Sequence, residues 1–463
     1  MTKRTMLSLM IILAVVGGCF RSGCGTHRHR FADTKGTKAT GNYLKALVFP
    51  GQISSNVVTT DSQRNVIIAG QFNDTIDLGG GPLQSVGDSD VFIAKFDSSG
   101  RHLWSHRFGG KVRDEATGIA IDSQDRIVVT GLFLGTINFG QGPMTSLGGR
   151  DLFVAKFDRD GTPLWSIRNG GAGDEYTDNG ATIDPDDNII TTGLMGASAS
   201  FGGETLSFRG DEDIFVAKFE SDGTPSWAKS FGGVGHDYGA SVATDGDRNI
   251  IIVGNFSKAV DFGGGTMQSA GVSDIFVLKL DRKGNYVWSR RFGDSLADEA
   301  KSVIVDEDGN LIMAGEFQSY SIDLGDGPLK KGGVFDVFMA KYDPKGNHLW
   351  SRSFPGDGLN HVGGVALGGG GQLVLVGSFV GKVGFGGDEL TTQDNYDGYI
   401  AKFDQQATHL WSKRVGGNGS DGASGVAVDR ENHVLITGHH ANLVDFGAGS
   451  QEKAGSFLLF LSP

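Results

Sequence analysis

Cysteine is nearly absent from this sequence, with 2 in 463 residues. That number excludes a disulfide-stapled scaffold and a four-thiolate zinc site. Proline is sparse at 10, and basic charge is in deficit: 41 Lys and Arg against 54 Asp and Glu give a net charge of −13. With a pI near 5.3, nucleic acid is excluded as the main partner. There is no Gly-x-Ser-x-Gly nucleophile elbow, no Walker loop and no His-Glu-x-x-His pair. What is abundant is glycine: 75 residues, more than twice the usual share, without the three-residue period of collagen. Phenylalanine follows, with 30 against 8 Tyr and 6 Trp, and 38% apolar residues are too many for a disordered chain. Length alone allows two or three domains.

The N-terminus is set apart from the rest. Lys3 and Arg4 precede an apolar run over 6–16, whose 11 residues fall short of the about 20 that a membrane-spanning helix needs. Val16-Gly17-Gly18-Cys19 follows and resembles a bacterial lipobox, which makes 1–18 a lipoprotein signal peptide and Cys19 the lipid acceptor. The alternative is a plain secretory signal with Cys19 as an incidental thiol. Cys24 is the weaker acceptor because Arg21 stands where the aliphatic residue belongs. Residues 19–42 are polar, basic and aperiodic, as in a flexible tether. Phe20 is not the acidic residue associated with inner-membrane retention, so the outer membrane or cell surface is the favoured address.

An internal repeat sets the architecture. All six Trp fall in one register, Trp104, Trp165, Trp227, Trp288, Trp350 and Trp411, at spacings of 61, 62, 61, 62 and 61. A strand ending in Gly recurs seven times, from NVIIAG at 65–70 to HVLITG at 433–438. An Asp-aliphatic-Phe-apolar-(Ala or Leu)-Lys run opens at Asp90, Asp151, Asp213, Asp274, Asp336 and Asp397. Each unit reads as four short strands; in the second these are A over 118–121, B over 127–133, C over 152–157 and D over 163–168. A small hairpin is expected between B and C. Four-stranded units repeated seven times predict an all-β, seven-bladed propeller over 43–461. The seventh unit stops after strand C, while residues 43–51 align with a strand D in which Lys45 replaces Trp. The N-terminal strand is therefore expected to close the last blade.

The run DLFVAKFDRDGTPLWSIRNGG at 151–171, followed by ATIDPDDNIITTG at 181–193, resembles the SBBP (seven-bladed β-propeller) repeat of bacterial secreted and surface proteins. The resemblance covers essentially all of 43–461 and implies a propeller on an extracytoplasmic protein. It implies no single reaction and no standard catalytic set.

A residue present in every blade is expected to build the blade, so the six Trp and the Asp and Lys of strand C read as structural. The D–A loops offer Asp114, Glu175, Asp237, Asp298 and Asp421, with Asn360 in the sixth, as a ring on one rim of the axial channel. Such a ring could hold calcium or a basic partner, or each carboxylate could cap its own turn; the near-sevenfold symmetry favours capping. Asp-x-Asp-x-Asn in the A–B turns at 184–188, 245–249 and 306–310 lacks the Gly and terminal Glu of a calcium loop. His236, His361, His439 and His440 break the symmetry and are the candidate transition-metal ligands. No catalytic residue and no obligatory cofactor follows from the sequence.

The leading expectation is a monomeric, non-catalytic, lipid-anchored scaffold of the bacterial envelope that presents a rim or channel to a protein or glycan. The alternatives are an extracytoplasmic propeller enzyme with an axial site, quinoprotein-like or a hydrolase, and an outer-membrane assembly lipoprotein. Asp-x-x-Gly-x-x-Leu-Trp at 97–104 resembles the tryptophan motif of quinoprotein propellers, which outer-membrane assembly lipoproteins also carry. The longer period and the lack of an adjacent cysteine pair separate this chain from the quinoproteins.

Overall fold

The computed structural model describes residues 41–178, 180–392, 394–442, 444–446, 450–451 and 453–463. The expected signal peptide, Cys19 and the tether up to residue 40 lie outside them.

Seven antiparallel sheets, each built on four strands, are arranged as a β-propeller. In blade 1, strands A to D are Ile53–Thr60, Val66–Phe72, Asp90–Phe96 and His102–Phe108. In blade 2 they are Asp114–Ile121, Ile127–Phe133, Asp151–Phe157 and Pro163–Gly171. Strands B and C of these two blades are buried along their whole length apart from Gln71. Their near-continuous apolar sequences, as in IVVTGLF and DLFVAKF, fit strands covered on both faces.

The last blade is completed by the start of the chain. Gly422–Val428, Val434–His440 and Gly455–Leu461 supply strands A to C, and Tyr43–Pro50 pairs with the third of these, from Tyr43 opposite Leu461 to Pro50 opposite Gly455. Lys45 stands in the Trp register, and its ammonium donates to the carbonyl of Ser99 in the C–D turn of blade 1. The tryptophans do the same work: Trp165, Trp227, Trp288 and Trp350 donate Nε1–H to the C–D turn of the following blade at 3.2–3.3 Å. In the first three of those turns Gly223, Gly284 and Gly346 hold φ between +77° and +88°, and Ala407 takes φ +59° in the fourth. A Cβ on Gly223 would lie 2.9 Å from the Trp165 ring. Turn geometry and close approach both require glycine there.

The expected hairpin between B and C is present, for example Thr136–Asn138 with Pro143–Thr145. It leads into Phe139, whose ring lies 4.7 Å from that of Phe153 in strand C. The equivalent pairs Phe201–Phe215 and Phe262–Phe276 are 4.3 and 4.8 Å apart. The hairpin of blade 3 also extends strand D of blade 2, through Gly170 and Gly171. Hairpins thus latch neighbouring blades as well as filling the space over strand C.

Candidate binding site in the axial channel

The acidic residues read as a possible rim are buried. Strand A begins at Asp114, four residues earlier than position 118, so the acidic residues lie inside the sheet rather than in a loop. Asp114, Glu175, Asp237 and Asp298 are 0% exposed, as is Asn360, and Asp421 is 1% exposed. Each carboxylate accepts a hydrogen bond from the backbone N–H four residues before it: Gly110, Gly171, Gly233, Asp294 and Gly417, at 2.7–3.2 Å. They cap the turn entering their own strand, and each faces the buried Asp that opens strand C of the preceding blade. Burial, reinforced by that neighbouring Asp, pushes Asp114 up to about 7, Glu175 to about 8 and Asp237 and Asp421 to about 6.

The four histidines are not brought together. His236 is exposed beside Glu212, at 3.1 Å. His361 bonds Glu316 across the A strand at 3.0 Å. His439 and His440 lie on opposite faces of their strand; His440 is 2% exposed, bonded to Asn442 O and set edge-on to Phe446. Among the described residues no group of three or more His, Cys, Asp or Glu is placed to hold a metal ion. The first Asp of each Asp-x-Asp-x-Asn turn is spent locally. Asp184 Oδ1 accepts from Asp186 N and Asn188 N, and its Oδ2 takes Lys218 Nζ at 2.7 Å. The same ion pair recurs as Lys95–Asp61, Lys156–Asp122, Lys279–Asp245 and Lys341–Asp306. This accounts for the repeated strand C lysine.

The site that does emerge is built by irregularity in the innermost strands. Six A strands shift register at one place, between Ser55 and Val57, Ala116 and Gly118, Gly239 and Ser241, Ala300 and Ser302, Val362 and Gly364, and Ala423 and Gly425. A β-bulge leaves one residue out of the ladder and re-aims its side chain. Of the six bulged residues, Asn56, Thr117, Lys301, Gly363 and Ser424 line an axial cavity of about 610 Å³, and Ala240 is buried apart from it. In blade 3 the step from Glu175 to Asp184 is one residue longer than that from Asp114 to Asp122, and strand A splits into Glu175–Tyr176 and Ala181–Ile183. Asp178 in the gap lines the same cavity.

Symmetry is lost here. The position two residues before the bulge is Ser54, Glu115, Tyr176, Tyr238, Glu299, His361 and Gly422 in successive blades. The Tyr176 and Tyr238 rings lie 5.9 Å apart, and Arg150 sits over Tyr176 at 5.7 Å. Arg113 is held by Glu115 at 2.7 Å, and Lys301 by Glu299 at 2.5 Å. Glu316, 5% exposed, accepts from Val362 N at 2.8 Å and bonds His361, whose ring lies 5.7 Å from Tyr396. Asp178 is half-buried and has no ion pair among the described residues. Burial works against the charge on Lys301, yet Glu316, Glu299 and Asp178 together push its ammonium upward. Burial likewise opposes His361, and Glu316 outweighs it, so the imidazole is raised. Both shifts report a negative potential in the channel.

Of the candidates read from the sequence, only His361 belongs to this cluster. Tyr176, Asp178, Tyr238, Lys301 and Glu316 are additions from the structure. A trace of them was present in the spacing of 62 between Trp165 and Trp227, which the extra residue at 178–179 accounts for.

No known protein-family model matches the chain. It is 24% identical to an uncharacterised WD repeat-containing protein of Acanthamoeba polyphaga mimivirus, over 82% of this chain and 35% of that protein. It is 23% identical to the regulatory protein FlaEY of Caulobacter vibrioides, over 84% of this chain and 43% of the other. The chain thus spans well under half the length of either relative. Among solved structures, the Neurospora crassa Pan2 WD40 domain aligns at a TM-score of 0.45 and 10% identity, covering 88% of this chain and 89% of that one.

Proposed function

We propose that this chain is a non-catalytic binding propeller of the bacterial envelope, held to a membrane, with the outer membrane favoured, by lipid on Cys19. Its axial channel receives part of a protein or glycan partner. One observation carries the reading: the bulge ring, a repeated and therefore structural device, displays a different side chain (Asn56, Thr117, Asp178, Lys301, Ser424) from each of five blades toward one cavity of about 610 Å³. Packing asks for no such variety, because the small residues next to the bulge (Gly118, Ser241, Ser302, Gly364, Gly425) recur. A cavity with convergent, non-equivalent polar groups is the arrangement expected of a ligand site.

The test is photocrosslinking in cells, with a benzophenone amino acid at Thr117 or Ser424 in the channel and at Gly265 on an outer hairpin. A discrete adduct from the channel positions alone is expected. Equal labelling from Gly265, or none from the channel, overturns the reading. For the anchor, Cys19→Ala is expected to move the protein from the membrane to the soluble fraction; unchanged fractionation overturns it.

A second reading, an axial-site enzyme, has one observation in its favour. His361 is half-exposed to the cavity and oriented by a buried carboxylate, as a general base would be. Turnover of ester or glycoside substrates that is lost in His361→Gln would establish it.

A further inference from the structure

The asymmetry of the channel selects a kind of partner. Its wall splits into two parts with different chemistry. On the side of blades 5 and 6, Lys301, Glu299, Glu316 and His361 satisfy one another through bonds of 2.5–3.0 Å. On the side of blades 2 and 3, Arg113 is bound by Glu115 at 2.7 Å, and Arg150 stands between Glu115 and Asp174 at 3.9 and 3.7 Å. Every cation near the cavity is therefore engaged by a carboxylate. Asp178 is the exception on the acidic side: it lines the cavity beside Tyr176, it has no ion pair among the described residues, and its charge acts on Lys301 and on the Tyr176 and Tyr238 phenols. The tyrosine rings are 5.9 Å apart and inclined at 52°, so they form a corner rather than a closed stack, and Tyr176 of the pair lines the cavity. Arg150 already lies over one face of Tyr176 at 5.7 Å, and the remaining ring faces beside a carboxylate without an ion pair suit a further cation, through ring quadrupoles and direct charge together. An acidic or neutral group would leave Asp178 without an ion pair. The low-dielectric walls of a narrow channel focus that field.

We infer that Tyr176, Asp178 and Tyr238 form a receptor for a cationic side chain, an arginine or lysine carried on a polypeptide segment that enters the channel. The inference rests on the proposed binding function and narrows its partner to a basic peptide. The blade 3 insertion is the device that makes the receptor, since it alone sets a carboxylate at the bulge.

The test uses the full chain and three probes in saturation-transfer NMR: acetyl-Gly-Arg-Gly-amide, acetyl-Gly-Glu-Gly-amide and chitotriose. Saturable binding of the arginine peptide alone is expected, weakening with salt. Asp178→Asn should weaken it roughly tenfold or more, as loss of a charge-assisted contact does. Tyr238→Leu should reduce it independently, while Lys301→Gln, which removes a competing cation from the cavity, should tighten it. Preferential binding of the acidic peptide or of chitotriose overturns the cationic receptor while leaving a binding propeller in place. Arginine binding that is unchanged in Asp178→Asn with an unaltered melting profile overturns it too. Cleavage of a probe would instead overturn the binding function itself.

Discussion

Lys402 is 2% exposed, yet blade 6 has Gly368 where five blades have the aspartate that pairs with this lysine. No ion pair reaches Lys402 among the described residues, and burial pushes its ammonium downward. The local backbone is conserved in form: Gly368 N donates to Gln372 O at 2.7 Å, as Asp306 N does to Asn310 O at 2.9 Å. Gly368 sits at φ −102°, ψ 173°, and a Cβ there would meet nothing closer than 3.3 Å. Gly368→Asp therefore supplies the missing acceptor at the cost of a shift of a few tenths of an ångström by the Val428 side chain. It is expected to stabilise the protein by about 1 kcal/mol near neutral pH, where both groups are charged. Scanning calorimetry checks this; an unchanged or lower midpoint would show that Lys402 is already satisfied. Residues of this kind mark the limit of what the sequence could reveal. The strand C lysine was legible as structural because it recurs, but its partner in the A–B turn was not. Lys156 and Asp122 are 34 positions apart, and only the antiparallel meander of the blade brings them together.

At the scale of elements, the junction between blades explains why the acidic residues looked like a binding rim. Their repeat was legible; their burial was not, because a bulge lets strand A continue through what reads as a loop. Five junctions place an acidic residue of strand A against the Asp of strand C: Asp114 with Asp90, Glu175 with Asp151, Asp237 with Asp213, Asp298 with Asp274 and Asp421 with Asp397. The sixth has Asn360, whose Nδ2 donates to Asp336 Oδ1 at 3.2 Å and to Phe335 O at 3.0 Å. The amide does what a protonated acid would do elsewhere, offering a hydrogen to its partner carboxylate. The acids raised by burial bind more protons when folded than when unfolded, so their contribution is complete below the ordinary value of 3.8 for Asp. It is lost as pH climbs through folded values between about 6 and about 8. The lysine-paired acids Asp61, Asp122, Asp184, Asp245 and Asp306 have the opposite sense. Burial alone would raise them, but their lysine and amide partners hold them low, so stability is also lost in strong acid. The melting midpoint is therefore expected to peak in acidic solution, near about pH 4, and to fall by several degrees toward pH 8. Asp114→Asn, which installs the sixth junction's chemistry in the second blade, should raise the midpoint at pH 8 and change it little at pH 4. A flat profile in the wild type, or a variant destabilised equally at both pH values, would refute the shared-proton account.

At the scale of the molecule, the first composition-based expectation of two or three domains gives way to a single ring, and a ring stands or falls by its closure. Every other blade is a continuous four-strand meander, whereas the seventh joins residues 43–50 to residues 455–461 across the whole length of the chain. The closing strand has an apolar face of its own. Leu47 and Phe49, 5% and 2% exposed, pack in one cluster with Ile53, Phe96, Leu458 and Phe460, which ties blade 7 to blade 1. Removing the strand exposes an unpaired edge at Gly455–Leu461 and opens that cluster at the same time. Leu47→Ala and Phe49→Ala are each expected to cost about 2–5 kcal/mol, as large-to-small changes in a packed core do. Deletion of residues 43–49 should go further and replace one cooperative transition with a broad one, because the blades no longer unfold as a closed set. A destabilised variant could melt early for many reasons, so the decisive measurement is rescue. A synthetic peptide of residues 42–51 added to the deleted protein can pair only where the strand is missing. It should raise and sharpen the transition in a concentration-dependent way, and the same peptide with Leu47 and Phe49 replaced by Ser should not. Rescue by both peptides, or cooperative melting of the deleted protein unaided, would mean that the ring is held together elsewhere.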